Sequence, residues 1–203
     1  MGRAAKPTLI TLALSAAAVL GYVAYRFTLD RAPVDAPPVA QTAAPALPDE
    51  LPEFSLANLD GEQQSIRSWP GRPLIINFWA TWCGPCRKEI PMLVAFQDAN
   101  PDLTIVGIAV NTVDEARPFV EEMGIDYPIL IGRTEAVTAA AAFGVEFYAL
   151  PFTIFTDGTG RTLGVRTGEL HQEQLDHFAA VLADLEAGRL SVEAARARIA
   201  GVM

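Results

Sequence analysis

The sequence predicts one α/β domain built on a mixed sheet flanked by helices. Three observations carry that expectation. From residue 74 to residue 143, short β-rich runs alternate with stretches of helical periodicity, the pattern of parallel strands joined by crossover helices. Two later runs flank Asp157-Gly158-Thr159-Gly160, a turn sequence that joins strands into an antiparallel hairpin. A length of 203 residues, 51% hydrophobic and 19% charged, is enough for one good core but not for two. No internal repeat is visible. The composition excludes wholesale disorder, a collagen-like chain and a disulfide-stapled miniprotein.

In chain order, Thr8 to Tyr25 is a run of 18 residues without a charge, preceded by Arg3 and Lys6 and followed by Arg26. As a helix it would reach about 27 Å, close to the thickness of a bilayer core, so residues 1–31 read as an uncleaved signal anchor. The alternative is a cleaved signal peptide ending near the small run Ser15 to Ala18. No cysteine lies near the apolar run, which closes the acylated-lipoprotein route. Residues 32–50 hold five prolines and six alanines, a composition that forms no core and reads as an extended tether of about 60 Å at full stretch.

Phe54 to Ile66 alternates around Asp60-Gly61 and predicts a β-hairpin. Leu74 to Trp79 is the apolar run of a strand buried on both faces, and Cys86 to Ala99 follows with helical spacing at Ile90, Leu93, Val94 and Gln97. Leu103 to Val110 reads as a strand, Val113 to Met123 as a helix, Tyr127 to Ile131 as a strand and Glu135 to Phe143 as a helix. Phe152 to Thr156 and Leu163 to Thr167 form the antiparallel pair. Leu175, Phe178, Ala179, Leu182 and Leu185 make one apolar stripe on a helix that Gly188 can end. The folded domain is thus expected over 51–188. Residues 189–203, with alternating Arg and Glu, are expected as a solvated helical tail.

Charge is divided unevenly. Residues 1–31 carry Arg3, Lys6, Arg26 and Arg31 against Asp30, a net of +3, while the remaining 172 residues hold 11 basic and 23 acidic side chains. So acidic a body repels phosphate backbones, and nucleic acid is excluded as an expected partner.

The sulfur chemistry is confined to Trp82-Cys83-Gly84-Pro85-Cys86, after a buried strand and at the start of a helix. There, unsatisfied backbone N–H groups and the helix dipole stabilise a thiolate on Cys83, the nucleophile. Cys86, one turn inside, is the resolving thiol: Cys83 attacks a disulfide, and Cys86 then displaces the product. Pro85 suits a helix start because its missing donor costs nothing there. Other readings fit less well. Zinc needs further ligands, and the two histidines, His171 and His177, are far along the chain and off a common helical face. Attached haem needs a histidine where Arg87 stands, and a structural disulfide closing so short a loop stabilises little. A net disulfide oxidase or isomerase, and a non-catalytic copper-binding module using both thiolates, remain as alternatives.

The stretch Asn77-Phe78-Trp79-Ala80-Thr81-Trp82-Cys83-Gly84-Pro85-Cys86-Arg87-Lys88-Glu89-Ile90-Pro91 resembles the active site of thioredoxin-fold proteins, specifically the TlpA/ResA-like membrane-anchored group. The resemblance implies a thioredoxin-like fold with an added N-terminal β-hairpin and a central helix-strand insertion near 113–131. It implies a thiol:disulfide oxidoreductase acting as a reductase, with a redox-active Cys83–Cys86 disulfide and no other cofactor or metal. Its partners would be protein disulfides, apocytochrome c among them, and a membrane-embedded thiol donor. Its place would be the bacterial inner membrane, single-pass, with the catalytic domain in the periplasm, or soluble there if the leader is cleaved.

The resemblance also assigns residues. Leu150-Pro151 takes the place of a cis-proline beside the nucleophile, with substrate pairing to the Leu150 backbone. Trp82, Gly84 and Pro85 border the substrate groove, whereas Trp79 is expected in the core. Phe152 stands where threonine usually follows that proline, with Thr153 next. Asn77 stands where cytoplasmic thioredoxins bury an aspartate, so the acid-base role moves to Glu89, on the helical face of Cys86 one turn on. The competing expectation for Glu89 is an exposed side chain paired with Arg87 or Lys88. Pro91 is expected to kink the helix.

Overall fold

Six consecutive residues buried on both faces require a central strand, and Leu74–Trp79 (β3) is one. The structure, a computed structural model, describes residues 20–26, 47–145 and 149–203. Residues 20–26 are helical. The predicted anchor otherwise lies outside the described residues, as do positions 32–46 of the predicted tether. No helix among the described residues is long and apolar enough to cross a membrane.

β3 lies between β4 (Thr104–Ala109), to which it is parallel, and β6 (Phe152–Thr156), to which it is antiparallel. β5 (Ile129–Ile131) adds in parallel beyond β4, and β7 (Thr162–Thr167) adds antiparallel beyond β6. The predicted hairpin forms as β1 (Ser55–Asn58) and β2 (Gln63–Ser65) and extends the far edge through β1 against β5. The seven-stranded sheet runs β2-β1-β5-β4-β3-β6-β7, mixed as expected. In the hairpin turn, Asn58 Oδ1 accepts from the backbone N–H of Asp60 and Glu62, and Gly61 takes φ 82°.

Alternation along β3 divides the core. Leu74, Ile76 and Phe78 pack on one face with Val106, Ile108, Phe152 and the alanine-rich helix α3 (Thr134–Ala142). Ile75 and Trp79 pack on the other with Ile90, Leu93, Phe155, Leu175 and Phe178. That second face is covered by α1 (Gly84–Ala99) and α4 (Gln172–Glu186). The β4–β5 crossover is α2 (Val113–Met123), begun by a Thr112–Glu115 capping box and ended by Gly124 at φ 64°. Gly107 in β4 is required by close approach: a Cβ there would lie 2.7 Å from Trp79 Nε1 and 2.6 Å from Ile129 Cδ1.

Residues 189–203 correct the expectation of a solvated tail. Their helix α5 (Val192–Ala200) buries Ala195 and Ile199 completely. Ile199 lies over Gly164 of β7, where a Cβ would come within 2.6 Å of Ile199 Cγ2. The alternating charges misled because only two of the nine positions are fully buried. Arg196 spends its charge on a clasp, with Nη1 donating to Asp49 Oδ1 (2.8 Å) and Nε to the Thr162 carbonyl (2.8 Å). Thr162 N–H donates in turn to the Asp49 carbonyl, and Glu50 bridges Arg161. The folded unit therefore extends through the last helix. Ile199→Ala should lower the unfolding free energy by about 3 kcal/mol in chemical denaturation; a truly solvated tail would show no change.

Candidate active site

Cys83 is the N-cap of α1, with extended backbone (φ −85°, ψ 108°), so the chain leaves β3 through Ala80–Trp82 and turns at once into the helix. Its Sγ accepts the backbone N–H of Cys86 at 3.3 Å. That is an orphan donor of the helix start, supplied without any side chain. Pro85 occupies the first turn and no acidic side chain lies there, so nothing opposes negative charge on the sulfur. The helix begins two residues earlier than its apolar spacing indicated, because Gly84 and Pro85 carry no periodic signal. Helix α1 continues through Pro91 to Ala99, although Pro91 has no N–H for the Arg87 carbonyl.

Cys83 and Cys86 are joined in a disulfide, Cα to Cα 5.3 Å. Cys83 keeps 5% of its surface and Cys86 none, so the approachable sulfur is the first. Gly84 and Pro85 are exposed beside it, and a Cβ at Gly84 would meet nothing within 4 Å. Trp82 is 70% exposed, whereas Trp79 is fully buried and stacks on Phe119 at 5.0 Å. The Leu150-Pro151 peptide is cis. Because Phe78 pairs with Phe152 in antiparallel register, Leu150 and Pro151 lie beside the residues that lead from β3 to Cys83. Leu150 is half-buried, and Pro151 is buried with its carbonyl accepting from Gly168 N–H at 2.8 Å.

Glu89 resolves to the buried of its two expectations. It is 2% exposed and pairs with neither Arg87 nor Lys88, which reach Glu122 and Glu169 instead. Its Oε1 accepts from Asn77 Nδ2 at 2.8 Å and its Oε2 from the Leu170 backbone N–H at 2.7 Å. Burial outweighs these two donors and raises its pKa to about 7. Asn77 Nδ2 also donates to Thr153 Oγ1 at 3.0 Å, as expected for residues paired across β3 and β6 on one face. Helical spacing from Cys86 located Glu89, but its partners stand 12 and 81 positions away. The available signal was an asparagine inside an otherwise apolar strand.

Spacing alone also missed a hollow lined by Trp82, the neighbour of Cys83 in sequence, with Val110, Glu115, Arg133, Thr134 and Val137. Trp82 and Val137 are two of the three exposed large apolar side chains described in residues 47–203, so apolar exposure is concentrated at this hollow. At its edge Glu115 pairs with Arg133 at 2.5 Å, and the Thr112 backbone N–H holds the Glu115 carboxyl down at about 2.

Residues 47–162 match the AhpC/TSA family. A thiol-disulfide oxidoreductase ResA of Geobacillus thermodenitrificans is 30% identical over 176 residues, covering 83% of this chain and 89% of that protein. Among solved structures, a thioredoxin-family thiol:disulfide interchange protein of Chlorobium tepidum is similar with TM-score 0.57 and 32% identity, over 68% of this chain and 96% of its own. A secreted Mycobacterium tuberculosis disulfide oxidoreductase is similar with TM-score 0.52 and 25% identity, over 66% of this chain and 95% of its own.

The Glu89 carboxyl has a consequence for stability. A raised folded pKa means that the folded state holds the proton more tightly than the unfolded chain, so the contribution is full below about 4.5 and is lost as pH rises through about 7. In the oxidised protein, the stability of Glu89→Gln relative to the parent should therefore rise by about 3 kcal/mol between pH 4.5 and 8. Denaturant titrations of both across that range check it; a constant difference contradicts it.

Proposed function

The chain belongs to the AhpC/TSA family of thioredoxin-fold proteins, as a thiol:disulfide oxidoreductase of the ResA type, and on that premise we propose that it is an exported, membrane-tethered reductase of protein disulfides. The observation that carries this reading is the asymmetry of the sulfur pair: Cys83 on a helix N-terminus with residual exposure, Cys86 buried one turn in, and a buried carboxyl one turn further.

In the reduced protein, the Cys86 N–H and the helix start stabilise a Cys83 thiolate. That thiolate attacks one sulfur of a substrate disulfide; the substrate S–S bond breaks, a mixed disulfide forms on Cys83, and the first substrate thiolate leaves. The Cys86 thiol then gives its proton to the Glu89 carboxylate, and its sulfur attacks Cys83 Sγ. The mixed disulfide breaks, the second substrate thiolate leaves, and the Cys83–Cys86 disulfide closes. Two electrons have passed to the substrate, and an external dithiol returns them. A membrane-embedded thiol carrier is the donor suited to a tethered protein, and cytochrome c maturation is the pathway this reading favours. The substrate chain lies across Trp82, Gly84 and Pro85, pairs with the Leu150 backbone beside Pro151, and places an apolar side chain in the hollow between Trp82 and Val137. Residues 1–31 would be the anchor and 32–50 the tether.

Cys83→Ser should abolish reduction of insulin by dithiothreitol, and Cys86→Ser should strand the natural substrate as a mixed disulfide on Cys83. Full turnover by Cys83→Ser would refute the assignment, and a reduction potential more oxidising than glutathione would reverse its direction. Trp82→Ala should cut kcat/KM for a protein disulfide about tenfold while leaving a small aromatic disulfide unaffected; equal losses on both would remove Trp82 from substrate binding.

A further inference from the structure

Each oxygen of the Glu89 carboxyl faces an N–H donor, from Asn77 at 2.8 Å and from Leu170 at 2.7 Å, and neither donor can accept. Each donor bonds more strongly to a charged oxygen than to a neutral one. Both donors therefore favour the ionised form, in a layer where burial and the nearby Glu169 charge oppose it. Leu170 gives a backbone N–H that any residue but proline could supply. Asn77 gives a side-chain donor from the middle of β3, fully buried, with Ile75 and Trp79 on the same face. Nothing in sheet packing asks for an amide there. A carboxamide also does not titrate, so its donor persists at every pH.

Resting on the assignment of Glu89 as the base for Cys86, we propose that Asn77 is a positioning residue: it presents Glu89 to Cys86 as a ready proton acceptor and ties that carboxylate to Thr153, two residues beyond Pro151. The two hydrogens of its NH2 group are divided between Glu89 Oε1 and Thr153 Oγ1, so one side chain links helix α1, strand β3 and strand β6. The other ionisable groups that bear on Glu89 are Glu169 ahead of α4 and Tyr127 ahead of β5, while Cys86 stands three positions before it on α1. Glu169 opposes ionisation and is itself approached by Lys88 at 3.9 Å. Among the described residues, no other side chain donates to the carboxylate.

The test follows the two sulfurs separately. The full chain, reduced, is mixed with one equivalent of dithiobis(nitrobenzoate) in a stopped-flow instrument across pH 5 to 9. The first thionitrobenzoate reports attack by Cys83, and the second reports attack by Cys86 on the mixed disulfide. In Asn77→Leu the pH midpoint of the second release should rise by about one unit, with about fivefold slower release at pH 7 and an unchanged first release. Asn77→Asp, isosteric and available should the leucine variant not fold, should also move the midpoint upward, because a second carboxylate then faces the first. Thr153→Val should shift it in the same direction by less, and an unchanged profile there overturns the link to β6. Glu89→Gln separates the two ideas. Should it leave the second release unaltered, Glu89 is not the base; should it abolish the neutral midpoint while both Asn77 variants keep the parent value, the role given to Asn77 alone is overturned.

Discussion

The contact between the Cys86 backbone N–H and Cys83 Sγ exists only because a strand ends and a helix begins within five residues. That junction needs a strand long and apolar enough to be held on both faces, and a helix whose first turn tolerates glycine and proline. β3 satisfies the first condition with six buried residues, and Gly84-Pro85 satisfies the second. Much of the remaining architecture braces this point. β4 and β6 fix β3 laterally, and α1 is held against the sheet by Ile90, Leu93 and Phe96. β6 is aligned so that its first residue, Phe152, pairs with Phe78 near the end of β3 from which the chain leads to Cys83.

Within that apolar layer the polar groups are few and mutually dependent. Asn77, Glu89 and Thr153 are nearly or fully buried, and each lacks water as an alternative partner. Together with the Leu170 amide they bond one another, though Asn77 Oδ1 is left without a partner, and burial leaves the Glu89 carboxyl with its pKa pushed up to about 7. Neither full ionisation nor full neutrality is favoured at neutral pH, the condition that the proposed proton transfer from Cys86 asks for. A surface glutamate paired with Lys88 would have been a poorer base, held far below the pH at which a thiol begins to ionise.

Most of the fold was legible because its signals are local. Periodicity, the Asp60-Gly61 and Asp157–Gly160 turns and the apolar run of β3 each depend on neighbours in sequence. The redox pair was legible for the same reason. What stayed hidden depends on long-range contact. Glu89 could be placed on the correct face of its helix, but whether it was buried rested on Leu170, 81 positions away. Helix α5 looked solvated because Arg196 and its neighbours are charged, and only the bare backbone of Gly164 beneath Ile199 makes the packing possible. The hollow flanked by Trp82 and Val137 joins two segments 55 positions apart, which no spacing rule connects.

The clasp at Asp49 has a directional consequence. Strand β6 runs from Phe152, paired with Phe78 near the end of β3 that leads to Cys83, to the turn at Asp157, and Asp49 and Glu50 are fastened to the residues just after that turn. The segment that precedes Asp49 thus departs from the pole opposite the reactive one. Strain arriving at Asp49 would be borne by Arg196, Thr162 and the last helix, at the end of the sheet away from the sulfurs.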